Sequence, residues 1–261
     1  MKIIVCIKQV PDTTEVKLDT KTGRLIRDGV PSIINPDDKN ALEEALRIKD
    51  ENPDTTVTVV SMGPPQADVA MREALAMGAD EAILISGREF GGSDTWATSY
   101  IIATAIKKIP DYDIIFCGRQ AIDGDTAQVG PQIAEQLNIP QITYVQKLDI
   151  EGDKVIVQRQ LEDGYTVVEA KMPVLLTAIK ELNTPRYMTP KGIFEAYNKT
   201  VQVWGFNDVP VDAEKIGLKG SPTNVNRTFS PEAKGKGIML EGADKETVKT
   251  LIAKLDEKHL L

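Results

Sequence analysis

The chain has 261 residues, enough to bury an extended core as one large domain or as one domain with an elaborated C-terminal part. Its 39 acidic against 31 basic side chains leave a net charge of -8, which excludes partners gripped by their phosphate backbone, so DNA and RNA drop out. No run approaches the ~18 apolar residues of a membrane span. Met1 to Ile7 reads as a short strand rather than a signal peptide, so the expectation is a soluble, cytoplasmic protein.

In chain order, strands are expected near Ile3 to Ile7, Thr56 to Val60, Ala82 to Ile85, Asp113 to Phe116 and Ile142 to Val145, separated by amphipathic helical stretches. That alternation predicts the α/β class, a parallel sheet with helices on both faces. Between the first two strands, Val16 to Ile34 holds two extended runs about a turn at Gly23 and is expected as a β-hairpin. Asn35-Pro36-Asp37-Asp38 starts a helix with a capping residue, a proline at the first helical position and acids in the first turn; Leu42, Ala45 and Leu46 continue it. Pro64-Pro65-Gln66 starts the next, which stops at Gly78, and Ser93-Asp94-Thr95 starts a third with Ile101, Ile102, Ala105 and Ile106 as its stripe. Beyond about residue 145 the period changes to two: Val155 to Gln160, a turn at Glu162-Asp163-Gly164, Thr166 to Ala170 and Val174 to Ala178 are expected as antiparallel additions. From Thr200 the chain is rich in Gly, Pro, Asn and Lys, with one helix near Asp244 to Leu255. The expected organisation is therefore an α/β body over 1–200 and an extended C-terminal arm over 201–261 that wraps another chain.

The chemistry-bearing stretch begins at Gly118. A buried strand that ends in Gly118-Arg119-Gln120-Ala121-Ile122-Asp123-Gly124-Asp125-Thr126-Ala127-Gln128-Val129-Gly130-Pro131 and then opens a helix presents free backbone N–H groups where a phosphate can sit. The glycine spacing is neither G-x-G-x-x-G nor a G-K-[ST] loop, which argues against a P-loop ATPase. Lys8-Gln9-Val10-Pro11-Asp12 and Ser61-Met62-Gly63-Pro64 follow other strands and should converge on the same crevice. Thr126 is expected either to cap the following helix or to bond a phosphate oxygen. Asp123 and Asp125 read as acids that serve the helix end or accept from ribose, ahead of a metal site. Arg119 is a surface cation or lies over the ligand, where its fixed charge would favour the anionic reduced form of a redox ring. Trp96 reads as a partly buried core side chain ahead of a stacking platform. The two cysteines, Cys6 and Cys117, read as small buried hydrophobes kept reduced. The single histidine, His259, stands near the C-terminus, which removes histidine-based nucleophile chemistry and leaves any reaction to a cofactor.

Several stretches together resemble the beta subunits of electron-transfer flavoproteins over essentially the whole chain. They are Val5 to Asp12, Asn35-Pro36-Asp37-Asp38 with Ala41 to Ala45, Ser61-Met62-Gly63-Pro64, Ala74 to Asp80, Gly118 to Thr126 and Asn183-Thr184-Pro185-Arg186-Tyr187. The resemblance implies a heterodimer with a larger alpha subunit and either FAD or a structural AMP held here. It places the nucleotide among Cys6, Ile7, Lys8, Asn35, Pro36, Asp38, Ser61, Met62, Gly63, Pro64, Thr95 and Thr98, and along the whole segment from Gly118 to Gly130. Single-flavin members typically show Ile-Asp-Asp-Asp where this chain has Ile122-Asp123-Gly124-Asp125, and the run through Gly130-Pro131 resembles the two-flavin, electron-bifurcating members. For those the resemblance implies NADH as donor, with ferredoxin or flavodoxin as one acceptor and an acyl-CoA dehydrogenase, reached through the alpha-subunit FAD, as the other. It also implies partner contact at Arg186, Tyr187, Met188, Thr189 and Pro190, although Met188-Thr189-Pro190 replaces the leucine-bearing loop of single-flavin members. A single-flavin carrier with AMP, and an ATP-using adenylating or nucleotide-sensing protein, are the competing readings.

Overall fold

Among the described residues, nine strands build the sheet of the first unit, in the order Val201–Trp204, Glu81–Ile85, Thr56–Met62, Lys2–Cys6, Ile114–Gly118, Val174–Ala178, Gln141–Glu151, Lys154–Gln160, Tyr165–Lys171. The computed structural model describes residues 1–12, 31–226, 235 and 237–261. The chain forms two compact units, Met1–Asn226 and Arg227–Leu261. In the first, β1 (Lys2–Cys6) leads through the short antiparallel pair β2 (Gln9–Pro11) and β3 (Ser32–Ile34) into α1 (Pro36–Glu51). Then come β4 (Thr56–Met62), α2 (Asp68–Met77), β5 (Glu81–Ile85), α3 (Thr95–Ile106), β6 (Ile114–Gly118), α4 (Val129–Leu137) and β7 (Gln141–Glu151). Most of the hairpin expected over 16–34 lies outside the described residues.

Every pairing from β11 (Val201–Trp204) across to β7 is parallel. Such strands are buried on both faces, and their sequences alternate between two apolar layers. Ile3, Val5, Ile114 and Phe116 meet Leu42 and Leu46 of α1 and Met71 of α2 on one side. Ile4, Cys6, Ile115 and Cys117 meet Ile101 and Ile102 of α3 and Ile133 of α4 on the other. β8 (Lys154–Gln160) and β9 (Tyr165–Lys171) extend β7 antiparallel, as their period of two requires.

Two expectations are corrected. Val174–Ala178, expected as an antiparallel addition, is β10, inserted parallel between β6 and β7. All five of its residues are buried, and an unbroken apolar run suits a central strand rather than a half-exposed one. Residues 201–226, assigned by sequence to the arm, lie in the first unit: β11 pairs with β5 from Val201↔Ala82 to Trp204↔Ile85. Val209 and Ile216, just ahead of the single turn α6 (Gly217–Gly220), join the layer under α3. The second unit contains α7 (Lys245–Glu257), capped by Asp244, which accepts from the N–H of Thr247. No helix among the described residues is long and apolar enough to cross a membrane.

Candidate nucleotide-binding site

From β1 the chain winds outward through β4 and β5, then crosses back to β6 on the other side of β1. Strand order therefore reverses between β1 and β6, the position at which an open parallel sheet parts its loops and admits a ligand. A cavity of about 360 Å³ opens there, walled by the ends of β1 and β6, the first turns of α3 and α4, and the loop between β6 and α4.

Asp38 holds the two strand ends together. It is buried in the first turn of α1; its carboxylate accepts from the N–H of Lys8 after β1 at 2.7 Å and from that of Gly118 at the end of β6 at 3.0 Å. Asn35 stands at the N-cap of α1, yet its side chain makes no cap bond. It is diverted to the loop, donating to the Gln120 carbonyl at 2.8 Å and accepting from the Ile122 N–H at 3.0 Å. Lys8 Nζ lies 2.5 Å from Asp123 Oδ1, and Gln120 donates to Asp125. Two non-glycine residues of this loop, Asp125 (φ 56°) and Ala127 (φ 52°), occupy the left-handed region. Such conformations cost energy and persist where surroundings enforce them, a frequent trait of ligand clamps.

At the far side Gln128 caps α4 without a side-chain bond and Pro131 has no N–H, so the Val129 and Gly130 amides at the positive helix end are left for an anion. The buried Arg119 Nε lies 3.3 Å from Asp37 Oδ2 as an ion pair without hydrogen-bond geometry, and its guanidinium lies 5.9 Å from the Tyr144 ring centre. Burial pushes the Asp37 carboxyl above its ordinary value, against the pull of Arg119. The free N–H groups at the start of α4 and the Arg119 cation suit a phosphate-bearing ligand.

The electron transfer flavoprotein domain model matches residues 22–209, well over half of the chain. The chain belongs to the electron transfer flavoprotein family. It is 62% identical over 262 residues, all of both chains, to the electron transfer flavoprotein subunit beta of Thermoanaerobacterium thermosaccharolyticum. Over the whole of both chains it is also 58% identical to the caffeyl-CoA reductase-Etf complex subunit CarD of Acetobacterium woodii and 53% identical to the acryloyl-CoA reductase electron transfer subunit gamma of Anaerotignum propionicum.

Against the residues that resemblance to this family singled out, the cavity brings together Cys6, Ile7, Lys8, Asp38, Met62, Thr95 and Thr98 with Gly118 to Ala121, Gly124 and Thr126 to Gly130. Asn35, Ile122, Asp123 and Asp125 stand behind it as braces of the loop, and Pro36 is exposed at the helix start. Thr126 does not cap α4, because the helix begins three residues later with Gln128 at the cap. Gly63 and Pro64 line a neighbouring cavity of about 830 Å³, which shares Lys8, Met62 and Ser93 with the first. Ser61 is buried on the opposite side of β4, on the layer of Val57 and Val59. Missed from sequence were Ser93, Asp94, Ile102, Cys117 and Ile133. The helix-start pattern at Ser93-Asp94 carried the signal, since the first turn of α3 faces the same crevice as that of α4.

The loop expected to meet a partner is braced from below. Arg186 donates to Glu43 at 2.8 and 3.0 Å and to Asp50 at 2.7 Å, and its hydrogen bonds to Glu43 raise its affinity for the proton further. Tyr187 is 95% exposed, and Thr189 caps α5 (Pro190–Asn198) by accepting from the Gly192 N–H.

Burial raises the Asp38 pKa from 3.8 to about 7, opposed by the Lys8 and Gly118 amides. The fold therefore binds this proton more tightly than the unfolded chain does between those values. Stability contributed by the protonated group is fully present below about pH 4 and is lost as the pH rises through about 7, at no more than about 1.4 kcal/mol per unit. Melting temperatures measured against the non-titrating Asp38→Asn variant should converge across that window and run parallel above it. Parallel curves at every pH would show an ordinary carboxylate.

Proposed function

We propose that this chain is the nucleotide-holding beta subunit of a heterodimeric electron transfer flavoprotein, with FAD in the crevice between β1 and β6, serving an acyl-CoA dehydrogenase or reductase. A bound FAD would supply hydride chemistry with NADH as donor and single-electron transfer toward ferredoxin or flavodoxin and, through the alpha-subunit FAD, toward the dehydrogenase. The residues of this chain bind and orient. The amides of Val129 and Gly130 and the Arg119 guanidinium meet phosphate, Asp38 and Asn35 hold the loop in place, and Lys8 is anchored by Asp123 at the crevice mouth. The relatives named as parts of caffeyl-CoA and acryloyl-CoA reductase systems support the dehydrogenase partner.

The observation that carries FAD over AMP is Gly124. A Cβ there would meet no atom within 4 Å, so the fold does not need a glycine at this position, and its absent side chain leaves the cavity wall open. The first cavity would take the adenylate, and the adjoining one would give space to a ring and its reductant. We further propose that the alpha subunit covers α7, whose Val248, Leu251 and Ile252 are exposed along one stripe at helical spacing. The cytoplasm is the compartment that fits this role.

Co-expression with an alpha subunit, followed by extraction of bound nucleotides, tests the reading: about two FAD and no AMP per heterodimer are expected. One FAD with one AMP would sink it. Gly124→Asp should exchange FAD for AMP at this site without lowering the melting temperature, and unchanged FAD content would remove Gly124 from the argument. Replacing Asp123 and Thr126 together with alanine should release the beta-site nucleotide while the alpha-site flavin stays bound.

A further inference from the structure

The floor of the crevice holds two thiols to whose sulfur atoms the proposed function gives no chemistry. Cys6 and Cys117 are the only cysteines of the chain, and both are free and buried. They stand opposite each other in the parallel pairing of β1 with β6, on the same layer, and both line the cavity. The neighbouring Cys6 side chain, burial and the nearby Asp38 carboxylate push the Cys117 thiol well above its usual range. The Cys117 sulfur lies under the start of α4, 3.6 Å from where a Cβ on Gly130 would sit.

Strand spacing decides what such a pair can hold. Neighbouring strands run about 4.8 Å apart, and in-register side chains leave the sheet side by side at roughly that separation. A disulfide wants its Cβ atoms about 3.8 Å apart, so direct S–S closure must draw the strands together. One large bridging atom between the sulfurs closes the same gap without moving them.

We propose that Cys6 and Cys117 form a dithiol site for trivalent arsenic species, arsenite or an organoarsenical, at the base of the crevice. The step needs no oxidant. With an arsine oxide, R–As=O, two S–H bonds break and two As–S bonds form. The oxygen leaves as water with both protons, and arsenic stays trivalent. The thiolate is the attacking form, so the raised Cys117 thiol is captured faster as the pH rises. Access is from the cavity, so a nucleotide seated there shields the pair; that corollary alone rests on the proposed function.

The test uses phenylarsine oxide on the full-length chain, stripped of nucleotide, with free thiols counted after denaturation and adduct stoichiometry read by intact mass. One arsenical per chain and loss of both titratable thiols are expected. Cys6→Ser and Cys117→Ser, with Cys6→Ala and Cys117→Ala as second choices for folding, should each weaken capture by about 100-fold, since the second As–S bond forms at high effective concentration. Two thiols still titratable at one equivalent, or single variants that capture as tightly as the parent, would overturn the dithiol. Repeating the reaction on nucleotide-loaded protein separates the two ideas. Equal capture with and without nucleotide keeps the dithiol and removes the crevice as the nucleotide seat.

Discussion

Gly118→Ala is expected to empty the crevice and to cost about 3 kcal/mol of stability, at the upper end of the overpacking range. A Cβ on Gly118 would lie 2.2 Å from Asp38 Oδ1, 2.6 Å from the Asp38 nitrogen and 2.8 Å from the Asp37 carbonyl carbon. Two of those atoms are backbone in the first turn of α1, so no side-chain rotation relieves the collision. Either α1 shifts or the end of β6 does, and both movements break the Asp38 bonds to Lys8 and Gly118 that hold the strand ends in place. The loop that follows loses its origin. Chemical denaturation reports the stability, and nucleotide content after purification reports the crevice. Gly124→Ala serves as the control, because its Cβ meets nothing within 4 Å, and it should stay within about 0.5 kcal/mol of the parent. A Gly118→Ala protein that keeps its nucleotide and its midpoint would refute the role given to Asp38.

Gly192→Ala should act at the opposite surface and leave the crevice intact. Its Cβ would lie 2.3 Å from the carbonyl oxygen of Ala76, at the end of α2, so α5 must lift from the helix it rests on. Arg72 of α2 donates to the Ala196 and Lys199 carbonyls at the end of α5, at 2.8 and 2.6 Å, and that tie would break as well. A loss of about 2–3 kcal/mol is expected. α5 carries Phe194 and Tyr197, 77% and 73% exposed, beside Tyr187. Their displacement should weaken electron delivery to the proposed acyl-CoA dehydrogenase partner while nucleotide content stays at the parent level. Loss of nucleotide with this variant would mean that the two regions are coupled through the sheet. The pair of glycines thus separates cofactor retention from partner contact.

Much of the parallel sheet was legible because each of its early strands is a short apolar run closed by a small or polar residue. Asn35-Pro36, Ser93-Asp94 and Gly78 mark helix ends by local chemistry, and the structure places helix termini at each. The loop from Gly118 to Gly130 stood out for the same reason: small residues and amides between a buried strand and a helix have few purposes other than approach to a ligand. The bracing was hidden. Asn35 satisfies the local rule for a cap and then spends its side chain 85 residues away on Gln120, and Asp38 bridges to Gly118 across 80 residues. The insertion of β10 and the docking of β11 escaped because strand neighbours depend on pairing across the chain, to which periodicity is blind.

Residue pattern alone determined that this is an α/β protein and singled out the loop after β6, since hydrophobic period and capping chemistry act over a few residues and need no distant partner. The tertiary structure decided that Cys6 and Cys117 share one wall, that Lys8 closes on Asp123, and that residues 201–226 belong to the first unit. Those facts depend on which strands lie side by side. That order is selected by burial summed over the whole sheet, a quantity no local window of sequence contains.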